Sequence, residues 1–241
     1  MMLARFASLW PEHKSLHPAG IHVPLYVYPG DESYDRIARA RQAHPAVPIV
    51  VTVNPSSGPG TARDPSYDRA VGMLRAAGVS VIGYVYTSWG KRGLAGAAAD
   101  MCRYKEWYGL DGVMLDEFST SVGSASYYLA LRGYAKSLGM AFVMANPGTD
   151  VPEQFVGVLA DNFTIYENAG LPGSDRLGGW HAGYGRENWS CCSYGTRFDE
   201  RRLRALTKHV GLVYMTDDLP PNPYDRLSSY FERMVEALDP K

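Results

Sequence analysis

Short runs of β-branched and aromatic residues alternate along the chain with longer stretches whose apolar positions recur every three or four residues. The short runs predict strands over 22–28, 48–54, 80–87, 112–117, 141–146, 158–167, 188–194 and 211–217. The longer stretches predict helices near 32–44, 65–77, 94–108, 124–138, 199–209 and 223–238. Asp64-Pro65 sets a capping residue before a proline at the first helical position, and Gly78 follows that helix's last turn. Gly139 does the same after the helix ending near Leu138. The connection at 152–156 is short and that at 168–187 is long and glycine-rich. Eight strands with mostly helical connections predict one closed parallel (β/α)8 TIM barrel, an α/β fold spanning 1–241 as a single domain. An open doubly wound sheet is the alternative, but no Gly-x-Gly-x-x-Gly follows the first strand.

Within each strand, alternate residues face opposite sides. Ile49, Val51 and Val53 form an apolar set suited to the helices, with Thr52 and Asn54 opposite. Tyr26 and Tyr28 fall together, as do Tyr84 and Tyr86, Met114 and Asp116, Met144 and Asn146, and Tyr214 and Thr216. The sets ending in Tyr28, Asn54, Tyr86, Asp116 and Asn146 suit the barrel interior and its mouth, so polar residues gather where barrel enzymes keep their chemistry.

Composition narrows the classes of function. A formal net charge of -1 offers no basic field for nucleic acid. No run approaches the roughly 18 apolar residues of a membrane span. Met1 to Pro11 has no basic region followed by a long apolar stretch, so no signal peptide is visible and a cytoplasmic location is the default. Three cysteines, Cys102, Cys191 and Cys192, give no disulfide framework and read as small buried residues. His13, His17 and His22 are interrupted by prolines 11 and 18, and no His-x-His or His-Glu-x-x-His occurs, so no metal site is expected. Neither a phosphate-loop Gly-Lys-Ser/Thr nor a Gly-x-Ser-x-Gly elbow is present, and no cofactor is expected.

Residues 110–117, Leu-Asp-Gly-Val-Met-Leu-Asp-Glu, carry the sharpest chemical signal: a buried strand running into Asp116 and Glu117. Carboxylates there are costly unless paired, hydrogen-bonded or solvated. Glycoside hydrolysis needs two carboxyl groups flanking the scissile bond, and Glu167, ending the sixth strand, supplies the other side. Asp111 starts its strand at the opposite face and reads as a turn residue; Asp161 is discounted on the same ground. Asp217 and Asp218 either line the groove or cap the Leu-Pro-Pro-Asn-Pro loop that follows. Trp89, Trp180, Tyr184 and Trp189 are either sugar-stacking platforms or aromatics that pin their own loops. Tyr28, Asn54, Tyr86 and Asn146 are placed to bind hydroxyl or acetamido groups.

Pro24-Leu-Tyr-Val-Tyr-Pro29, Val53-Asn-Pro-Ser-Ser-Gly-Pro-Gly60, Gly83-Tyr-Val-Tyr-Thr87, Gly112-Val-Met-Leu-Asp-Glu117, Ala145-Asn-Pro-Gly148 and Tyr166-Glu167 occur in that order. Together they resemble the spherulin-4-like family, which includes glycoside hydrolase family 135. The resemblance implies a (β/α)8 barrel and an endo-acting hydrolase of α-1,4-linked N-acetylgalactosamine stretches, as in the exopolysaccharide galactosaminogalactan. It implies acidic groove residues at Asp116, Glu117 and Glu167, with Tyr166 beside them on the substrate. It also implies an extracellular or membrane-tethered location, against the absence of a visible export signal. Residues 168–190 depart from the family pattern, which leaves the preferred polymer open. The rival from another class is a non-catalytic carbohydrate-binding or spore-coat-like structural barrel. A carbohydrate deacetylase is disfavoured by the lack of a metal triad in the sequence.

Overall fold

A computed structural model describes residues 19–240. Its strands are β1 (Gly20–Leu25), β2 (Ile49–Val53), β3 (Ser80–Tyr86), β4 (Gly112–Asp116), β5 (Phe142–Asn146), β6 (Asn162–Ala169), β7 (Trp189–Tyr194) and β8 (Leu212–Met215). They pair in parallel in chain order, and β8 returns to β1 to close the expected barrel. Outside run α1 (Glu32–Ala43), α2 (Pro65–Ala76), α3 (Leu94–Tyr108), α4 (Ala125–Ser137), α5 (Ser174–Gly178), α6 (Glu200–Leu206) and α7 (Phe231–Leu238). His13, His17 and the segment read for an export signal lie outside the described residues.

Strand parity sets two apolar layers. Ile21, Val23, Leu25, Ile49, Val51 and Val53 face outward against Ile37, Leu74 and Tyr104 of the helices. Val50, Ile82, Met114, Phe142, Met144 and Leu212 fill the interior, with Tyr26 and Tyr84 above them. Gly83 has to be glycine, since a Cβ there would come within 2.5 Å of the Tyr104 ring. His22 lies in the interior, 2.7 Å from the Thr52 hydroxyl. Burial lowers its pKa to about 3, so it is a neutral part of the core.

Helix signals hold where caps were legible. Asp64 accepts the Ser66 N–H ahead of Pro65, and Gly78 and Gly139 take positive φ after α2 and α4. Three boundaries differ. β1 begins and ends earlier than 22–28, because Gly20 already pairs with Leu212 and Tyr26 turns its N–H to the Tyr224 carbonyl. β6 starts at Asn162 instead of 158, since the Val158 and Leu159 N–H groups turn back to the Phe155 carbonyl. Finally, 223–230 is not helical. Tyr224 accepts the Tyr26 N–H, Tyr224 N–H goes to Asn222, Ser228 N–H to the Tyr214 hydroxyl and Ser229 N–H to Asp217. These bonds to the barrel and its loops replace the i→i−4 ladder, which resumes only at Phe231.

The acidic residues at the strand starts are structural. Asp111 pairs with Arg75 at 2.8 Å and Lys105 at 3.1 Å. Asp161 pairs with Arg132 and Lys136 and accepts the Val143 N–H at 2.8 Å. Asp217 and Asp218 also act in structure, each paired with Arg226 and so tying down the β8–α7 loop.

Candidate active site

β3, β4 and β5 place Tyr86, Asp116 and Asn146 side by side at the C-terminal mouth, as register partners across the sheet. The turn after β5 decides which way Asn146 faces. Its side-chain carbonyl accepts the Gly148 N–H at 3.1 Å, and Gly148 has a left-handed φ of +66° that few other residues adopt. The amide nitrogen is thereby left to point across the mouth. It donates to Asp116 Oδ1 at 2.8 Å and to Glu167 Oε2 at 2.6 Å, so those two oxygens are at most 5.4 Å apart.

Glu167 reaches this position through a β-bulge. Thr164 pairs with Ser190, whereas Tyr166 pairs with the next residue, Cys191, so one extra residue is absorbed between Thr164 and Tyr166. Uninterrupted alternation from inward-facing Thr164 would aim Tyr166 at the interior and Glu167 at the helices. The bulge reverses both. Tyr166 packs with the outer core and its hydroxyl donates to the Ala169 and Gly170 carbonyls. Tyr166 is thus turned away from the mouth, contrary to the substrate-binding expectation.

Burial, and then the charge of Glu167, raises the Asp116 carboxyl from 3.8 to about 6, while Tyr84, the Glu117 N–H and Asn146 act in the opposite direction through hydrogen bonds. Glu167 accepts a second hydrogen bond on its other oxygen, from the Tyr224 hydroxyl at 2.5 Å. Tyr26 packs edge-on against both Tyr84 and Tyr224, with centroids 5.6 and 5.7 Å apart, and completes a wall of tyrosines below the carboxylates. Two carboxyl groups at this separation, sharing one donor, can retain a single proton as a pair up to about pH 6.

Glu117 departs from its neighbour's direction because its φ is +50°, a left-handed value that costs an ordinary residue about 1 kcal/mol or more. Ser88 and Trp89 are also left-handed, at +48° and +53°. The two turns are locked together. Trp89 N–H donates to the Glu117 carbonyl at 2.8 Å, and the Thr87 hydroxyl lies 2.9 and 2.8 Å from the Asp116 and Glu117 carbonyl oxygens. Tyr128 supports this clamp from α4, 3.0 Å from Thr87 and accepting the Ser119 N–H. The outcome is a tryptophan held 58% exposed at the rim, joined by backbone to the end of the carboxylate strand.

The remaining expected site residues divide between rim and scaffold. Tyr28 lies beyond the end of β1, exposed at the rim, with its hydroxyl donating to Asp64 at 2.9 Å. Tyr86 is at the mouth with the Arg92 guanidinium 4.0 Å over its ring. Asn54 spends its side-chain carbonyl on the Gly58 N–H, bracing the β2–α2 loop. Trp189, expected as a sugar platform, is 0% exposed and opens β7 level with Phe163, on the order of 10 Å below Glu167 along the sheet. Its indole donates to the His181 carbonyl, and Trp180 and Tyr184 pack edge-on against it with centroids 5.4 and 6.0 Å away. Tyr184 is further tied to Glu153 by its hydroxyl. This cluster covers the outer side of the barrel where the β5–β6 and β6–β7 connections lack long helices. Trp180, Tyr184 and Trp189 are therefore loop-packing residues and not platforms.

Four residues next to the carboxylates are not among the expected site residues: Tyr26, Tyr84, Cys192 and Tyr224. Tyr26 and Tyr84 lay in the inward-facing tyrosine sets, and Cys192 in a strand of unremarked parity. Tyr224 had no local signal, because it comes from a segment whose pattern reads as helix.

The comparisons with known proteins agree with this architecture. The model of spherulation-specific family 4 matches residues 20–238. Spherulin-4 of Physarum polycephalum is 34% identical, over 93% of this chain and 71% of its own length. Among solved structures, Aspergillus clavatus Sph3 in complex with GalNAc superposes with a TM-score of 0.80 at 22% identity, covering 93% of this chain and 98% of that one. A Rhizomucor miehei chitinase gives a TM-score of 0.55 at 12% identity, covering 91% of this chain and 98% of its own. The two superpositions are likenesses of fold; the family match runs through every strand and both carboxylate positions, and this chain is a member of spherulation-specific family 4.

Proposed function

We propose that this protein is a glycoside hydrolase, endo-acting on α-1,4-linked N-acetylgalactosamine or galactosamine stretches of an exopolysaccharide. The observation that carries the reading is the Asp116–Asn146–Glu167 bridge, whose carboxylate oxygens lie at most 5.4 Å apart. A separation of about 5–5.5 Å suits the retaining mechanism, whereas inverting enzymes leave about 6.5–9.5 Å for a water. In this reading Asp116 attacks the anomeric carbon and the bond to the leaving oxygen breaks as Glu167 protonates it. Water, deprotonated by Glu167, then hydrolyses the glycosyl ester and frees Asp116. Glu117 orients the sugar, and the exposed rings of Trp89 and Tyr28 offer stacking faces on the rim. The choice of an N-acetylgalactosamine polymer is supported by the family membership and by the bound GalNAc of the Sph3 relative.

The test is digestion of α-1,4-linked N-acetylgalactosamine oligomers by wild type, Asp116→Asn and Glu167→Gln, read by mass spectrometry. Shorter oligomers from the wild type alone are expected. Oligomer binding with no cleavage by the wild type would instead establish a carbohydrate-binding barrel.

A further inference from the structure

Tyr224 stands apart from the other tyrosines at the mouth. It is supplied by the β8–α7 loop, 57 residues from Glu167 in sequence, and donates to Glu167 Oε1 at 2.5 Å. Its ring is 6% exposed, and its backbone carbonyl accepts the Tyr26 N–H at the end of β1. The loop around it is fixed by Arg226 with Asp217 and Asp218, by Gly195 N–H on the Asp218 carbonyl, and by Ser228 N–H on Tyr214. Behind it, Cys192 donates its thiol to the Tyr224 oxygen at 3.3 Å.

The proton inventory gives this arrangement a direction. A tyrosine hydroxyl has one proton and a thiol has one. With the Cys192 S–H on the Tyr224 oxygen, the Tyr224 O–H is committed to Glu167. Glu167 is then gripped on both oxygens, by Tyr224 on Oε1 and by Asn146 on Oε2. Burial, followed by the proximity of Cys192 and Glu167, holds the Tyr224 phenol well above its ordinary range, so it remains a donor.

We propose that Tyr224, backed by Cys192, is the positioning residue for Glu167, fixing its carboxylate plane and meeting the charge that develops on it as the leaving oxygen is protonated. This rests on the hydrolase reading above. Among the described residues, Glu167 meets Asp116, Asn146, Tyr26, Tyr84, Cys192 and Tyr224, none of them a cation. Tyr224 and Asn146 are thus the neutral donors that Glu167 depends on.

The experiment compares Tyr224→Phe, Cys192→Ala and Cys192→Ser with wild type in kcat, KM and pH–rate profile on α-1,4-linked N-acetylgalactosamine oligomers. Alongside it, ¹³C NMR follows the carboxyl titrations of the labelled full chain without substrate. Loss of a hydrogen bond to a charged group predicts a kcat lowered roughly 10- to 100-fold in Y224F, with KM within about threefold. The upper limb of the profile moves to higher pH, because the lost donor favoured the ionised pair. C192A shows a smaller change of the same kind, and C192S, which keeps a donor, matches wild type. A Y224F enzyme within twofold of wild type in kcat, with an unmoved limb, overturns the proposal. If wild type cleaves nothing, the hydrolase reading fails on its own, and the carboxyl titration still decides: altered in Y224F it supports the grip on Glu167, unaltered it removes it. If Y224F does not fold, C192A against C192S takes its place, where equal behaviour overturns the proposal and rescue by serine supports it.

Discussion

At the N-terminal end of the barrel, Asp111 sits between Arg75 and Lys105, and Asp161 between Arg132 and Lys136. At the C-terminal end, five residues along the same β4 ladder, Asp116 faces Glu167, and the donors the described residues bring to the pair are neutral: Asn146, Tyr84 and Tyr224. The same side-chain chemistry is compensated at one end and left uncompensated at the other. Where a cation is present the carboxylate is paired with it and joins strand to helix. Where none is found among the described residues, burial and a like charge raise the Asp116 carboxyl to about 6, toward the range that acid–base work needs.

This contrast is broken most strongly by removing the acidic pair. Asp116→Asn and Glu167→Gln should each lower turnover by about a thousandfold or more, against less than threefold for Asp161→Ala, in a digestion assay at pH 5. The second effect reverses the order in stability. Asp116 has its folded-state pKa raised from 3.8 to about 6, so the protonated form is favoured by folding. That contribution is fully present below pH 3.8 and is lost as pH rises through about 6, on the order of 3 kcal/mol in all. Asp116→Asn should therefore melt higher than wild type at pH 8 and show little difference at pH 4. Asp161→Ala should lose about 2 kcal/mol at pH 8, since it removes two ion pairs and the acceptor of the Val143 N–H. An Asp116→Asn protein less stable than wild type at pH 8 would contradict the electrostatic contrast.

The catalytic pH dependence sharpens it further. The working pair carries one proton, and burial together with the like charge sets the pair's loss of it near pH 6. Turnover should fall as pH rises through about 6, measurable as the upper limb of kcat/KM. The effect of the rim is smaller. Trp89→Ala should raise KM about three- to tenfold with kcat little changed, whereas Trp189→Ala should unfold the chain or lower its melting temperature by a core-sized amount.

How much of this the sequence carried depends on the range of the interaction. Strand parity is local, so the barrel, the inward positions of Asp116 and Asn146, and the structural character of Asp111 and Asp161 could all be read from short windows. Glu167 was legible as a strand end, but the bulge that turns it inward and Tyr166 outward has no mark in Thr-Ile-Tyr-Glu. Trp180 and Tyr184 occupy a glycine-rich loop after a carboxylate strand and Trp189 opens the strand that follows, and nothing in these stretches tells whether the rings close over the mouth or pack down the barrel's side. Tyr224 was invisible because its helix-like segment is held by bonds to Tyr26, Tyr214 and Glu167, all distant in sequence.

The most direct measurement is the anomeric configuration of the first product, followed by ¹H NMR as wild-type protein cleaves an α-1,4-linked N-acetylgalactosamine oligomer. Two carboxylates no more than 5.4 Å apart at their facing oxygens predict the α-anomer first, with the β-form appearing only by mutarotation. Initial release of the β-anomer would show that water attacks directly and would contradict the paired-carboxylate account.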